Sequence, residues 1–270
     1  GYSVEWRVIN AADYGRAQRR RRVFFFVFRN DTKWGERLHT KYEATLSNDA
    51  DLNARLDCYA PYIFEDGLFG RQFPVKNEAV KKRINANKLD EDIAEVSANF
   101  SDGKMWNSGL MTNGYYYTIE TEPKGDEEPI PMKKIVVKEN QVPEDYYVDG
   151  EKLEKFKYLR GPKKITRTAA NGHTYTFSEG GMSEYDSLEL PGRTMLTSEG
   201  SVNRSTHLLK IDGKYRLITP IEAERLQDFP DDWTRYKRNT KGEVVEVSDR
   251  MRMFFMGNAL VTGIVKRIGD

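Results

Sequence analysis

The sequence predicts a mixed α/β chain, and three stretches carry that expectation. Val4–Ile9 alternates apolar and polar residues, the period of a strand with one buried face. Val23–Phe28, "VFFFVF", is apolar throughout and predicts a strand covered on both faces. Thr219-Pro220 followed by Glu222 has the spacing of a helix capping box, with Thr219 as N-cap and Pro220 at the first helical position.

The remaining elements follow in chain order. Glu36–Ala60 holds a helical pattern within a mixed stretch. Pro74–Asn99 brings Val75, Ala79, Val80 and Ile84 near helical spacing, which predicts a helical insertion. "MTNGYYYTIET" from Met111 to Thr121 reads as a strand preceded by an Asn-Gly turn. "EPKGDEEPIP" is an exposed loop. Tyr146–Thr206 alternates strands and turns, and "LLKIDGKYRLI" forms a hairpin around Asp212-Gly213. Met251–Ile268 becomes helical after "MGNA".

Composition narrows the function classes. Hydrophobic residues are 38% and aromatics 12%, enough for a core and too many for a disordered chain. Basic and acidic residues number 43 and 42, so net charge argues neither for nor against nucleic acid; only its distribution can. The single cysteine, Cys58, excludes a disulfide framework and a multi-cysteine zinc site within the chain. It reads as an inert thiol suited to a reducing compartment, and no metal site is expected. No window approaches the ~20 apolar residues of a membrane span, and no signal peptide is evident. The chain opens on Gly1 in mid-pattern, as a piece of something longer would.

"NAADYGRAQRRRRVFFF", "YRLITPIEAERLQDFPDDW" and "MGNALVTGIV" occur in this order. Together they resemble blocks VIII, IX and X of the DNA (cytosine-5)-methyltransferases, in the C-terminal half of those enzymes. The resemblance spans essentially the whole chain. It implies that residues 1–29 are block VIII strands of a catalytic domain, that 30–212 form the target recognition domain, and that 213–270 return to the catalytic domain. The implied fold is the remnant of a Rossmann-like methyltransferase sheet plus a mostly β recognition domain with the helical insertion.

The same resemblance assigns roles. The block VIII pattern Gln-x-Arg-x-Arg falls on Gln18, Arg20 and Arg22. In the family these arginines lie beside the flipped cytosine, the second donating to the base carbonyl and helping to hold the nucleophile loop. Guanidinium suits that task because its fixed donors never titrate away. Strand alternation turns Arg19 and Arg21 the other way, toward solvent or DNA phosphate. Taken without their context, the four arginines would read as a solvated or phosphate-binding patch. The family usually has proline just before the glutamine; here it is Ala17, which touches the local turn more than the arginines.

"PGRTMLTSEGSVNRSTH" resembles the family's recognition loops, with Thr194, Met195, Leu196 and Thr197 near the base. Either Thr194 or Thr197 can be the base-proximal threonine. Arg193 and Arg204 read as phosphate or guanine ligands. Lys163, Lys164, Arg167 and His173 crowd one glycine-bounded loop, which is either a solvated face or a DNA contact. In block IX, Arg216, Thr219, Glu222, Arg225 and Leu226 match a bracing helix, where Glu222 and Arg225 share a face and can pair. In block X, Gly257, Asn258 and Ala259 open the final helix and would close one side of an S-adenosylmethionine site. The apolar face of that helix (Leu260, Val261, Ile264, Val265) would lack most of its partner.

The family's Gly-rich cofactor turn, Pro-Cys-Gln nucleophile loop and Glu-Asn-Val motif have no counterpart here. "KENQV" at Lys138–Val142 only echoes the last, on the wrong side of block VIII, and reads as an ordinary loop. The implied parent is a methyltransferase of restriction–modification type. Its cysteine thiolate attacks C6 of a flipped cytosine, the methyl passes to C5, and the C5 proton leaves. This chain alone is expected to be inactive and to hold only part of the S-adenosylmethionine site, insufficient for binding by itself. Its expected partners are double-stranded DNA and a catalytic half in cis or in trans, with no membrane, in a bacterial cytoplasm at the nucleoid. The opening at Gly1 favours a trimmed piece over a naturally split subunit. A non-catalytic, sequence-specific DNA-binding module would need neither Gln-x-Arg-x-Arg nor Gly-Asn.

Overall fold

A computed structural model describes residues 1–47, 49–76, 83–89, 92–99 and 105–270. It is mixed α/β, and the chain divides into two compact units. One comprises residues 1–14, 21–128 and 266–270; the other comprises 15–20 and 129–265. These divisions do not follow the sequence boundaries at 29/30 and 212/213.

The first unit is built on a sheet whose strands are β1 (Tyr2–Asn10), β2 (Arg21–Arg29), β3 (Ile84–Lys88), β4 (Ser108–Thr112) and β5 (Tyr115–Ile119). Their order is β2-β1-β4-β5-β3, and each neighbouring pair is antiparallel. The alternating stretch at Val4–Ile9 lies in β1. Asn113 and Gly114, at φ 48° and 76°, make the tight turn between β4 and β5 that the Asn-Gly pair predicts. Helices α1 (Lys33–Lys41), α2 (Leu52–Pro61) and α3 (Leu68–Gln72) pack below, and α4 spans Ile93–Asn99. Phe28, Leu38, Tyr59, Tyr62, Leu110 and Tyr117 form part of the core.

Two charged residues of β1 organise that core. Glu5 is buried and accepts from the Leu68 and Phe69 amides at 2.9 Å each, at the N-terminus of α3. Arg7, equally buried, donates to the carbonyls of Phe69 (3.0 Å), Phe73 (2.8 Å) and Ile63. Helix ends that would otherwise be orphaned are thus satisfied from the strand beneath them. Burial pushes the Glu5 carboxyl up despite these bonds.

Two expectations fail in this unit. The strand at Val23–Phe28 is not covered on both faces. It belongs to β2, the outermost strand, where Val23, Phe25 and Val27 are 48, 64 and 55% exposed while Phe28 is buried. The stretch Pro74–Asn99 is not one helix: β3 pairs with β5, and only α4 is helical among the described residues. Ala79 and Val80 lie outside the described residues.

The second unit contains β6 (Tyr147–Val148), α5 (Gly150–Arg160), β7 (Lys163–Thr168), β8 (Thr174–Glu179), β9 (Leu208–Ile211) and β10 (Lys214–Leu217). These are followed by α6 (Pro220–Leu226), β11 (Tyr236–Arg238), β12 (Val244–Glu246), α7 (Asp249–Asn258) and the start of α8 (Thr262–Gly269). Strands β6-β10-β9 form one antiparallel sheet, and β7-β8 and β11-β12 are separate ribbons. Asp212 and Gly213, at φ 48° and 80°, turn the β9–β10 hairpin where the sequence put it. Ala17, Met132, Met195, Ile218, Leu226 and Met253 share the larger core.

α5 contradicts the expected succession of strands and turns after Tyr146. Its signals are in the sequence: Asp149 stands at the N-cap position, and buried Phe156 and Arg160 are four apart. With α1, α2 and α3 it makes residues 30–212 more helical than a mostly β domain.

Candidate functional site

Residues 15–20 enter the second unit as an extended segment. Gly192 donates to the Ala17 carbonyl and accepts from Arg19 N, both at 2.7 Å, giving Gln18 a parallel bridge to Gly192. Gln18 is fully buried. Its Nε2 donates to the Leu226 carbonyl at 3.2 Å, and its Oε1 accepts from Met195 N at 3.1 Å. Arg20, 3% exposed, donates to the Met195 carbonyl and to the Gly257 carbonyl, each at 2.9 Å, and reaches Gln18 Oε1 at 3.4 Å. The Arg20 guanidinium and the Gln18 amide together therefore tie residues of all three sequence blocks and the loop after Gly192 into one knot.

Arg19 and Arg21 are exposed, and Arg22 is half-buried with a bond to the Arg21 carbonyl. Arg20 is thus the most enclosed of the four arginines. Arg20 itself is spent on backbone carbonyls.

The loop that follows is stitched from inside. Met195 is a core residue, not a surface contact. The Thr194 hydroxyl donates to the Arg19 carbonyl at 2.7 Å, while Leu196 and Thr197 are exposed. Glu199, 1% exposed, accepts from Leu196 N (3.3 Å), His207 N (2.5 Å) and His207 Nδ1 (2.8 Å), closing the segment at both ends. Burial alone would raise the Glu199 carboxyl and lower the His207 imidazole. The opposite charge beside each outweighs it, so Glu199 falls and His207 rises.

Arg193 and Arg204 do not stand out toward a ligand. Arg193 donates to Asp186 at 2.5 and 3.2 Å and to the Thr206 carbonyl at 3.2 Å. Asp186 also takes Arg160 Nη2 at 2.8 Å and Leu208 N at 2.9 Å. Burial would raise the Asp186 carboxyl, but Arg193, His207 and Arg160 hold it well below the usual carboxylate range. Arg204 pairs with Glu179 at 2.9 Å and bonds the carbonyls of Leu159 and Gly180. Both guanidiniums are thus engaged by carboxylates and carbonyls around the loop while staying partly exposed. Asp186, Glu199 and His207 hold the loop, and no sequence spacing pointed to them.

Block IX forms its capping box as expected. Glu222 N donates to Thr219 Oγ1 at 3.3 Å, and Thr219 N donates back to Glu222 Oε2 at 2.7 Å. Fully buried Glu222 pairs with Arg216 at 2.8 and 2.9 Å rather than with Arg225, which turns to Asp231 at 2.7 and 2.8 Å. Buried Leu226 offers its carbonyl to Gln18.

Block X departs from its expected placement. Gly257 and Asn258 end α7, and Ala259 is its C-cap; they do not open a helix. A Cβ on Gly257 would lie 2.5 Å from the backbone of Leu196 and Thr197, so the close approach of that segment requires glycine there. That side of Gly257 cannot cradle a cofactor. Asn258 is exposed, with its amide on the Phe254 carbonyl at 3.1 Å, and Ala259 is half-buried. Leu260 and Val265 are exposed, whereas Val261 and Ile264 are buried, so half of the predicted apolar face is already covered.

A cavity of about 950 Å³ opens beside the loop. Thr197, Ser198, Gly200 and Ser201 line one wall, Ser248–Met251 another, and Tyr146 and Lys152 a third. Tyr146 donates to Asp249 Oδ2 at 2.5 Å.

The family model for C-5 cytosine-specific DNA methylases matches residues 1–270. The chain belongs to this family. Within the C-5 cytosine methylases it is 48% identical, over 270 residues, to the Type II methyltransferase M.Sau3AI of Staphylococcus aureus. All of the chain is covered, but it spans only 58% of that relative's length. Membership makes S-adenosylmethionine and DNA the family's cofactor and substrate. Among the described residues no helix is long and apolar enough to cross a membrane.

Proposed function

We propose that these 270 residues are the DNA-recognition part of a cytosine-5 methyltransferase of restriction–modification type. The nucleophile and most of the S-adenosylmethionine site come from a catalytic half in cis or in trans. The Arg20 knot carries this reading. It locks Gln18 of block VIII, Met195 of the recognition loop and Gly257 of block X into one rigid group, as a target site shared by those segments requires. The sequence has no Pro-Cys pair to supply a thiolate, and Cys58 bonds the Tyr42 carbonyl at 3.0 Å, with burial pushing its thiol up.

In this reading residues 1–29 form strands of a Rossmann-like sheet, 30–212 include the recognition domain, and 213–270 return to the catalytic domain. The exposed Val23, Phe25 and Val27 on the outermost strand support a missing neighbour: three large apolar side chains in one row are costly to leave in water. Arg22 faces the cytosine, with Arg20 holding the frame behind it. Arg19 and Arg21 meet phosphate, and Leu196 and Thr197 approach the base. Thr197 is favoured over Thr194 because its side chain is exposed at the cavity, while the Thr194 hydroxyl is engaged. S-adenosylmethionine supplies the methyl group when bound, and Asn258 and Ala259 are the residues here that remain open toward it.

The test is reconstitution. The chain alone, incubated with duplex DNA and S-adenosylmethionine, transfers no methyl group. Mixed with a catalytic half carrying the Pro-Cys-Gln loop, it methylates one short sequence, read by bisulfite sequencing. Methyl transfer by the isolated chain would sink the proposal.

A further inference from the structure

The ribbon of β7 and β8 pairs six residues on each strand, from Lys163 opposite Glu179 to Thr168 opposite Thr174. Side chains alternate across a strand, so the ribbon has two distinct faces. One carries Lys163, Ile165 and Arg167 opposite Glu179, Phe177 and Tyr175. This face supports itself: the Arg167 guanidinium lies 3.9 Å from the Phe177 ring centroid, and Lys163 pairs with Glu179 at 3.3 Å. The other face carries Lys164, Thr166 and Thr168 opposite Ser178, Thr176 and Thr174. All six are exposed. It holds five hydroxyls and one ammonium, without an apolar side chain.

A two-stranded ribbon by itself is marginally stable in water, and an exposed polar face adds no burial. Such a face suits a polar partner. Six residues at about 3.4 Å each extend about 20 Å, and the major groove of B-DNA admits a two-stranded β-ribbon. Threonine and serine hydroxyls can donate to or accept from any base edge, and threonine methyls can meet thymine methyls. The charge fits as well: residues 163–179 hold Lys163, Lys164 and Arg167 against the single carboxylate of Glu179.

We propose that the β7–β8 ribbon is a second DNA-contacting arm, distinct from the Thr194–Thr197 loop, which lays its Thr166/Thr176 hydroxyl face into the major groove of duplex DNA. Lys164, on the same face, meets a flanking phosphate. This rests on the reading of the chain as a DNA-recognition part, and it adds base contacts outside the loop that faces the target cytosine.

The test measures binding of the reconstituted enzyme to a duplex bearing its methylation site, by fluorescence anisotropy across a salt series. T166V/T176V keeps the strand shape and removes the central cross-strand hydroxyls. It weakens site binding about tenfold relative to a scrambled duplex, with the salt slope unchanged. K164A weakens binding to both duplexes and reduces the slope of log K against log salt by about 1. Thermal unfolding identical to the parent enzyme shows that both variants are folded. If the parent binds its site and both variants bind as it does, with the same slope, the ribbon arm is refuted while the proposed function stands. If the parent enzyme binds no DNA, both fall.

Discussion

Replacing Arg20 with methionine tests the central knot. The side chain is 3% exposed and donates to two buried carbonyls, those of Met195 and Gly257, at 2.9 Å each. Hydrogen bonds from a charged donor contribute about 1.5–3 kcal/mol each. Their loss also leaves two acceptors unsatisfied, and methionine recovers some apolar packing. The net cost is about 3–5 kcal/mol. With a urea dependence of about 2–3 kcal/mol per molar, the unfolding midpoint should fall by about 1–2 M. Arg20→Lys should lose roughly half as much, because one ammonium cannot span both carbonyls as a planar fork does. Hydrogen exchange gives the local readout. Amides at Leu196–Ser201 and Met256–Ala259 should exchange faster in R20M, while those of β1 and β4 keep parent rates. An R20M chain with parent midpoint and parent exchange at both segments would refute the knot.

Other consequences are equally direct. Gly257→Ala should displace the Leu196–Thr197 backbone, costing about 1–3 kcal/mol and lowering methylation by the reconstituted enzyme; an alanine variant with full activity and parent stability would exclude that close approach. Phe25→Glu, on the 64% exposed outer face of β2, should leave the chain's unfolding unchanged yet abolish co-purification with the catalytic half. Glu222→Ala should cost about 2–4 kcal/mol in urea unfolding, because fully buried Arg216 loses one of its two carboxylate partners and keeps only Glu139. The Glu199–His207 pair should give stability a pH optimum. His207 is raised above its ordinary 6.5, so its contribution is full below that value and is lost as pH climbs through the folded value. Glu199 is lowered below its ordinary 4.5, so its contribution is present above that value and is lost as pH falls through the folded one. The E199Q/H207N double variant should flatten both limbs between them; retention of both would refute the assignment.

Local signals were legible wherever one turn of chain settles the outcome. The Asn113-Gly114 and Asp212-Gly213 turns need left-handed backbone, and the Thr219/Glu222 box closes within four residues. Each was read from the chain and stands in the structure. The arginine run was half legible. Strand periodicity separates Arg20 and Arg22 from Arg19 and Arg21, but nothing local says that Arg20 would reach Met195 and Gly257, 175 and 237 residues away.

The sequence by itself determined the family, through three blocks in order, together with the hairpins and helix caps that short-range geometry dictates. Only the tertiary structure decided which charges remain free. Arg193 and Arg204 look like free basic residues in the sequence, but the fold brings Asp186, Glu179 and nearby carbonyls within reach of these half-buried guanidiniums. The outer face of β2 looked like core because its residues are apolar; whether it is covered depends on what packs onto that face of the sheet. That Gly257 would meet the backbone of Leu196 and Thr197, some sixty residues earlier in the chain, could not be read from its neighbours. Partner choice and burial are set by residues far apart in the chain, and no local spacing encodes them.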